Sequence, residues 1–400
     1  MKEAEKLNAD CRSGRLHGIE ASLRTQGDAW YALVSERCPH LFARVPVYVS
    51  HEGLRQMTEV IAAANRVMAG EAWCSLPEIG IRPGFSNAEG VFYGFDFHLN
   101  SEGAHLIEIN TNAGGAFLNA LVKSEQRDLP GIPVAEPNLE RVFIDMFRNE
   151  WRLKRGYQPL SCIAIVDEQP EGQYLYPEFL YAQRLFERAG IRTLILDPSM
   201  LRQAAGGLYA GDQKVDMIYN RLTDFSLDRY PALMQAWKED HLVLTPDPSH
   251  YARYADKRNL VRLTDVEELK RMNVADSDVA ILQKGIPHCF VVQKDAEEYL
   301  WEHRKELFFK PCSGYGSRGA YRGDKLTRRV FGEILDSDYI AQRIAPPGER
   351  CVSDGISLKF DVRCYVYEGK IQLVAARLYQ GQATNFRTPH GGFAQVRVVR

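Results

Sequence analysis

The pattern that most limits the possible folds is an alternation of short apolar segments with helical segments in the middle of the chain. The apolar segments occupy residues 161–166, 193–196, 215–219 and 241–244, and a helix is predicted after each of the first two. Strands that alternate with helices predict a parallel sheet covered by helices. These strand ends carry no glycine-rich phosphate fingerprint, so we expect the layer to bind a substrate rather than a nucleotide.

The two ends of the chain are predicted to have different secondary structure from the middle. Residues 17–70 are predicted to be helical, because apolar residues recur at intervals of three and four. Beyond residue 300 strands and hairpins dominate, including predicted strands at 359–368 and 370–379. The expected fold class is therefore α/β in the middle and α+β at the C-terminal end. The expected regions are 1–155, with helices and a hairpin, then 156–260 and 261–400.

Composition excludes several classes of function. The chain has 400 residues, 45% of them hydrophobic, which predicts two or three domains. Its formal net charge is −2 and its basic residues are dispersed, so we expect neither nucleic acid nor membrane as a partner. No apolar run reaches 18 residues, the length needed to span a membrane, and the N-terminus lacks a stretch like a secretory signal. The eight cysteines form no C-x-x-C pair. These features predict a cytoplasmic protein with free thiols, and they leave the oligomeric state open.

A glycine-rich segment at residues 314–319 matches G-x-G-x-x-G. A dinucleotide site would need a helix directly afterwards, but the following residues 320–322 predict a second strand. A glycine loop between two strands is typical of the flap that covers nucleotide phosphates. Lys310 ends the incoming strand and would supply a positive charge to a phosphate. An ordinary flexible hairpin is the alternative. Cys312 lies in this loop, and we expect its placement to be incidental rather than that of a catalytic nucleophile.

A second set of polar residues lies on a predicted hairpin at 91–110. Glu108 and Asn110 are two residues apart on one strand, so their side chains share a face, and Asp96 on the partner strand can reach it. Two carboxylates and an amide oxygen suit Mg²⁺. A solvated polar face is the alternative. His98 and His105, in the same hairpin, are interpreted as surface or packing residues.

A third set lies near the C-terminus. Arg363, Arg377 and Arg387 are predicted to converge beside the glycine pair at 391–392. Guanidinium groups arranged in this way suit bidentate contact with phosphate or carboxylate. Surface salt bridges are the alternative for any one of them.

Together these stretches resemble the ATP-grasp superfamily over most of the chain. Residues 376–392, preceded by Asp361-Val362-Arg363, look like the late strands of bacterial glutathione synthetases and RimK-type ligases. In those enzymes the Asp…Glu-x-Asn metal motif comes last, whereas here Asp96 and Glu108 come first, twelve residues apart. That order is similar to the circularly permuted ATP-grasp ligases, such as the synthetase half of glutathionylspermidine synthetase.

The resemblance implies a circularly permuted ATP-grasp fold with a Rossmann-like layer, and a role for each matching residue. Lys257 and Lys310 would hold ATP phosphates, Gly314, Gly316 and Gly319 would form the flap, and Gln342, Ile344 and Ala345 would belong to the hinge at the adenine. Asp96, Glu108 and Asn110 would hold Mg²⁺, and Arg363 and Arg377 would steady the transferring phosphoryl group. The chain lacks the cysteine amidase domain of that family and has Gly94 where the family has an arginine. We therefore expect synthesis alone and leave the acid substrate open.

The predicted activity is ligation of a small-molecule carboxylate to an amine, including peptide-like substrates, with ATP and Mg²⁺ as cofactors. The carboxylate would be activated as an acyl phosphate. Two alternatives stay open: a phosphotransferase with the same nucleotide site, and a nucleotide-binding module without turnover.

Overall fold

The computed structural model describes residues 2–79, 88–122, 129–134, 138–204, 206–314, 316 and 318–400. Within these ranges no helix is both long and apolar enough to cross a membrane. The helices of the described part are α1 (Lys2–Ala9), α2 (Ile19–Arg24), α3 (Asp28–Arg37), α4 (His51–Ala69), α5 (Glu71–Cys74), α6 (Ala116–Leu121), α7 (Leu139–Arg155), α8 (Tyr176–Arg188), α9 (Pro231–Lys238), α10 (Pro248–His250), α11 (Arg258–Thr264), α12 (Val266–Arg271), α13 (Asp276–Gly285), α14 (Glu297–Glu302) and α15 (Arg328–Leu335).

The strands of the same ranges form four sheets. They are β1 (Val47–Ser50), β2 (Tyr93–Asn100), β3 (Gly103–Asn110), β4 (Ile132–Pro133), β5 (Cys162–Val166), β6 (Arg192–Leu196), β7 (Leu201–Ala204), β8 (Gly207–Ala210), β9 (Gln213–Val215), β10 (Met217–Asn220), β11 (Val243–Thr245), β12 (Cys289–Val291), β13 (Leu307–Pro311), β14 (Tyr321–Arg322), β15 (Tyr339–Arg343), β16 (Gly348–Ser353), β17 (Ile356–Tyr367), β18 (Lys370–Tyr379) and β19 (Gly392–Val399).

The central sheet combines strands from both ends of the sequence. Its order is β1-β19-β18-β17-β2-β3, with β16 beside β17 and β4 beside β19. The pair β1–β19 is parallel, whereas β17 lies antiparallel between β18 and β2. The early hairpin β2–β3 therefore adds directly to the late strands. This pairing places the predicted metal motif beside the predicted arginines.

Helix α4 covers one face of the central sheet with an apolar stripe. Met57, Val60, Ile61, Ala64 and Met68 recur at intervals of three and four and are fully or almost fully buried. The helix begins after Ser50, whose side chain accepts a hydrogen bond from the amide of Gly53.

The helical prediction for residues 17–70 is wrong at β1. All four residues from Val47 to Ser50 are buried, and Val47 pairs in parallel with Val396. A four-residue apolar run cannot be assigned to helix or strand by its periodicity alone. The partner strand lies about 350 residues away, so local sequence does not contain the deciding information.

The predicted parallel sheet is confirmed, in the order β11-β10-β5-β6. The helix predicted after 196 is wrong, because β7, β8 and β9 form a small antiparallel sheet there. Gly206 (φ 70°) and Gly211 (φ 59°) adopt left-handed conformations at its two turns. Glycine tolerates that backbone without strain, so the two turns favour hairpins over a continuous helix.

The remaining sheet, β12-β15-β13-β14, forms a small lobe with its own apolar core. The strands β13 and β14 pair antiparallel, with Phe308 opposite Arg322. The predicted arrangement of strand, glycine loop and strand is therefore confirmed. Within that loop, residues 315 and 317 lie outside the described part of the chain.

Two helical glycines provide a test of the packing between α4 and α13. A Cβ added to Gly285 would come within 2.2 Å of Val60 Cγ2, whereas one added to Gly332 in α15 would meet nothing within 4 Å. We expect Gly285→Ala to destabilise the protein by about 1–3 kcal/mol through overpacking. Gly332→Ala should be neutral or slightly stabilising, since alanine favours helix more than glycine does. Urea unfolding of both variants measures this, and equal effects would contradict the packing.

Candidate active site

A cleft of about 800 Å³ lies where the central sheet, the small lobe and the parallel sheet meet. The predicted site residues other than Gly319 and Arg387 line it: Asp96, Glu108, Asn110, Lys257, Lys310, Gly314, Gly316, Gln342, Ile344, Ala345, Arg363 and Arg377. Gly319 lies at the far end of the flap, where its carbonyl oxygen accepts a hydrogen bond from the Tyr339 hydroxyl. The early acidic hairpin and the late glycine loop therefore face one cleft.

The hairpin positions its polar residues through a β-bulge. Asp96 pairs with Glu108, and the next pair joins Phe97 to Leu106, which leaves Ile107 without a partner in the ladder. The carbonyl oxygen of Ile107 instead accepts a hydrogen bond from Lys310 Nζ at 2.7 Å. The prediction that Asp96, Glu108 and Asn110 share a face is confirmed. The small lobe is hydrogen-bonded directly to the strand that carries Glu108 and Asn110.

Asp96 is the most enclosed of the predicted metal ligands, with 1% of its surface exposed. Its carboxylate accepts two hydrogen bonds from Arg363, both at 2.7 Å, and one from Arg377 at 2.8 Å. Asn110 Nδ2 donates a fourth at 3.1 Å. Burial favours the neutral acid, but the charges of the two arginines outweigh it and lower the pKa of Asp96.

A second carboxylate completes an alternating array of charges. Asp361 is fully buried and accepts hydrogen bonds from Arg377 at 2.7 and 2.9 Å. The Thr384 hydroxyl also donates to it. Burial opposes the charge of Arg377, but Asp361 and Asp96 raise its pKa above the ordinary value. Both cleft arginines are thereby charged and fixed in position before any ligand arrives.

The two predicted lysines join the hairpin to the base of the flap. Lys257 Nζ lies 3.2 Å from Glu108 Oε1 and donates to the carbonyl oxygen of Gly314 at 3.3 Å. Lys310 Nζ donates to Gln342 Oε1 at 2.7 Å. Burial lowers the pKa of Lys310, with Glu108 acting against that shift. Burial alone would raise the pKa of Glu108, but the positive charges of the two lysines outweigh it and lower that pKa.

His98, interpreted as a surface or packing residue, packs against the hinge and also lines the cleft. Its Nδ1 lies 2.7 Å from the carbonyl oxygen of Ala345, and its ring lines the cleft. Burial lowers the pKa of His98, so a neutral ring donates its Nδ1 proton to the hinge. Asn100 Nδ2 also donates to the carbonyl oxygen of Pro346, at 3.1 Å. The sequence contained a signal for this, because His98 lies two residues beyond Asp96 on one strand.

The third predicted arginine does not converge with the other two. Arg387 is exposed and does not line the cleft, whereas its neighbour Phe386 does. Phe386 stacks against Tyr174, with ring centroids 5.9 Å apart. Cys312 is buried, and burial raises the pKa of its thiol to about 11, consistent with the expectation of no nucleophilic role.

Sequence reasoning missed a polar wall at the ends of two parallel strands. Asp167 follows β5 and Arg221 follows β10, and both line the cleft with 8% of their surface exposed. Arg221 Nη1 donates to Asn112, while Arg221 Nε is buried with no hydrogen-bond partner in the described structure. Burial raises the pKa of Asp167 to about 6, against the charge of Arg221. Ligands of open α/β sheets bind beyond the carboxyl ends of the strands, which was the available signal.

The donor chemistry of the hairpin fits a magnesium ion. Among the described residues no group of three or more His, Cys, Asp or Glu side chains could hold a metal. Asp96, Glu108 and Asn110 instead provide two carboxylates and an amide, hard oxygen ligands that Mg²⁺ combines with water and phosphate oxygens. Glu108 is the more open carboxylate, since 29% of its side chain is exposed. A bound ion would have to share Asp96 with the two arginines.

Neither a protein-family model nor a curated protein matches this sequence. Among the solved structures that are similar along most of its length are the following two. A glutathione synthetase-like effector from Globodera pallida is 10% identical, with 90% of each chain covered and a TM-score of 0.55. A candidate gamma-glutamylcysteine synthetase from Methylobacillus flagellatus is 12% identical, with 88% of this chain and 89% of that chain covered and a TM-score of 0.51. The chain has an ATP-grasp-related fold.

The buried charge array makes a prediction about stability and pH. Asp96→Asn leaves two buried arginines without a carboxylate between them, so we expect a loss of about 3–5 kcal/mol in the free energy of unfolding. The folded pKa of Asp96 is depressed, so its contribution is complete above the unfolded pKa of about 3.9 and is lost as the pH falls through the folded value.

Urea unfolding of the wild type and Asp96→Asn between pH 3 and pH 7 measures this difference. Glu108→Gln is the matched control, since that carboxylate is more open and pairs with a lysine instead of two arginines. A difference between wild type and Asp96→Asn that is small, or that grows on acidification, would disprove the ionised array.

Proposed function

We propose that the protein is an ATP- and Mg²⁺-dependent ligase that joins a carboxylate to an amine through an acyl phosphate and releases ADP and phosphate. The hydrogen bond from Lys310 to the Ile107 carbonyl carries the proposal, because it brings the flap and the acidic hairpin to one cleft. We also propose that the fold is a circularly permuted ATP-grasp fold. The hairpin comes early in the sequence but pairs with the late strand β17, which supports this order.

The nucleotide would lie between the small lobe and the central sheet. The adenine would rest against the hinge formed by Gln342, Ile344 and Ala345. The phosphates of ATP would lie under the glycine flap. Lys257 and Lys310, both less than 10% exposed, would neutralise phosphate charge. Asp96, Glu108 and Asn110 would hold Mg²⁺, which would neutralise further phosphate charge. The four-residue charge array, which includes Asp96, holds Arg363 and Arg377 on the central sheet beside these ligands.

The chemistry proceeds in two substitutions. A carboxylate oxygen of the acid attacks the γ-phosphorus of ATP, and ADP leaves, which gives the acyl phosphate. The amine then attacks the acyl carbon, phosphate leaves, and the amine proton is released, which gives the amide. Arg363 and Arg377 stabilise the charge on the transferring phosphoryl group. The remaining rate acceleration comes from positioning of the reacting groups. A closed flap excludes water, which would otherwise hydrolyse the acyl phosphate.

The acid substrate would lie against the wall at Asp167 and Arg221. Arg221 lines the cleft with 8% of its surface exposed and carries a positive charge, which suits a carboxylate. The two similar structures are named for a glutathione synthetase and a gamma-glutamylcysteine synthetase, which supports an amino-acid or peptide-like substrate. In this arrangement regions 1–155 and 261–400 build most of the nucleotide cleft, and region 156–260 contributes Lys257 and the substrate wall. The identities of acid and amine stay open.

A substrate panel tests the activity. We expect ADP release that requires both a carboxylate and an amine, with an amide detected by mass spectrometry. Lys310→Ala and Arg363→Ala should each lower the rate at least about 100-fold, the size expected for a lost transition-state contact. Arg387→Ala is the control, since that exposed arginine lies outside the cleft and should leave the rate unchanged.

Two other outcomes of this panel identify the alternatives. A stable phosphate ester in place of an amide would identify a phosphotransferase. Absence of ADP with every substrate pair, in protein shown to bind ATP, would indicate a nucleotide-binding module.

Once a substrate pair is known, Arg221 provides a separate test. Arg221→Ala should raise the KM for the acid about tenfold to 100-fold, because a charged hydrogen bond to a carboxylate is worth about 1.5–3 kcal/mol. The affinity for ATP should not change, since Arg221 lies on the other wall of the cleft. An effect on ATP affinity with no change in the KM for the acid would remove Arg221 from the substrate site.

A further inference from the structure

A second cavity, of about 550 Å³, lies outside the active cleft. Four segments form it: residues 11–15, 39–45, 352–354 and 389–391. We call it the N-terminal cavity. Its charged side chains are those of Arg12, Arg15, Arg44 and Asp354, together with His40 and His390.

The backbone that carries these arginines is held in place. The amide of Leu16 donates to the carbonyl oxygen of Arg44 at 2.7 Å, which joins two of the arginine-bearing segments. The carbonyl oxygen of Ser13 accepts a hydrogen bond from the Tyr48 hydroxyl. Ser13 and Leu16 are both buried. Arg12 and Arg15 each lie next to one of these buried residues, while their own side chains are exposed.

The charge of the cavity is positive, although the Glu20 carboxylate also interacts electrostatically with Arg44. Three arginines against one aspartate give a formal charge of +2 with both histidines neutral. Asp354 is already engaged, because it accepts a hydrogen bond from the Cys11 thiol at 2.9 Å. In the described part of the chain, no carboxylate lies within 4 Å of the guanidinium nitrogens of Arg12, Arg15 or Arg44. Three guanidinium groups around one cavity favour an anion with several negative oxygens.

One loop, residues 380–391, separates this cavity from the active cleft. Thr384 and Phe386 line the cleft, whereas Pro389 and His390 line the N-terminal cavity. Thr388 holds the two ends of the loop together, since its hydroxyl accepts from the amide of Gln380 and donates to Asn385, both at 3.0 Å.

The loop also reaches the charge array of the active site. Thr384 donates to Asp361, and Asp361 holds Arg377. The loop that lines the N-terminal cavity at one end therefore contacts, at its other end, the carboxylate that holds Arg377.

We propose that the N-terminal cavity is a regulatory site for a small multivalent anion of the phosphate or polycarboxylate class. The anion binds Arg12, Arg15 and Arg44, and its occupancy orders the loop at 380–391 and with it the Asp361–Arg377 pair. The proposal that the anion regulates activity rests on the proposed ligase function. The proposal that the cavity binds an anion is independent of that function.

Calorimetry with the full chain tests the binding. Saturation with magnesium and a non-hydrolysable ATP analogue blocks phosphate sites in the active cleft. Inorganic phosphate and citrate are then titrated separately, at constant ionic strength set with chloride, because surface charges are screened by salt. We expect one site, bound by at least one of the two anions, and at least about tenfold weaker binding in the double variant Arg15→Ala/Arg44→Ala, which loses two charge-assisted contacts.

The double variant Arg141→Ala/Arg329→Ala is the matched control, since it removes two exposed helix arginines that line neither cavity. It should bind like the wild type. Equal binding by both double variants, or no binding of either anion, would overturn the site. Circular dichroism establishes that each variant is folded.

Hydrogen exchange tests the regulatory part. Amides of residues 380–391 should exchange more slowly when the anion is added to the wild type, and should not respond in Arg15→Ala/Arg44→Ala. Binding without protection of the loop would overturn the regulation and leave only the site. Anion binding in a protein that never turns over ATP would count against the ligase function and not against the site.

Discussion

The structure depends on one buried electrostatic arrangement, in which two carboxylates and two guanidinium groups alternate across three adjacent strands. Asp96 comes from β2, Asp361 and Arg363 from β17, and Arg377 from β18. None of these groups would be stable alone at such burial, because an isolated buried charge costs several kcal/mol. Each exists because its neighbours carry the opposite charge. The array therefore fixes the register of the three strands and leaves two charged arginines on the cleft wall.

This constraint explains how distant parts of the sequence cooperate. The hairpin at 93–110 is joined to the late strands through Asp96, and to the small lobe through Ile107 and Lys310. His98 adds a contact to the hinge at Ala345. One short hairpin thus contacts the late strands, the flap strand and the hinge, so it sets the distance between the two walls of the cleft.

Local patterns predicted the elements, and long-range contacts determined what the patterns could not. The hairpin with Asp96 and Glu108 and the strand–loop–strand around Gly314 are local patterns, and the parallel strands show a repeated apolar pattern; the structure confirms all three. Strand β1 depends on β19, and the outward position of Arg387 depends on how Phe386 packs. Arg221 and His98 were missed for a different reason: each had a positional signal, but only the folded cleft shows which polar residues face it.

The central claim is that the acidic hairpin and the glycine flap serve a single nucleotide. A crystal structure of the full chain with magnesium and a non-hydrolysable ATP analogue tests it most directly. The account predicts the triphosphate between Lys310 and Glu108, the adenine at residues 342–345, and the terminal phosphate beside Arg363 and Arg377. A nucleotide bound elsewhere on the protein, with this cleft empty, would contradict the account.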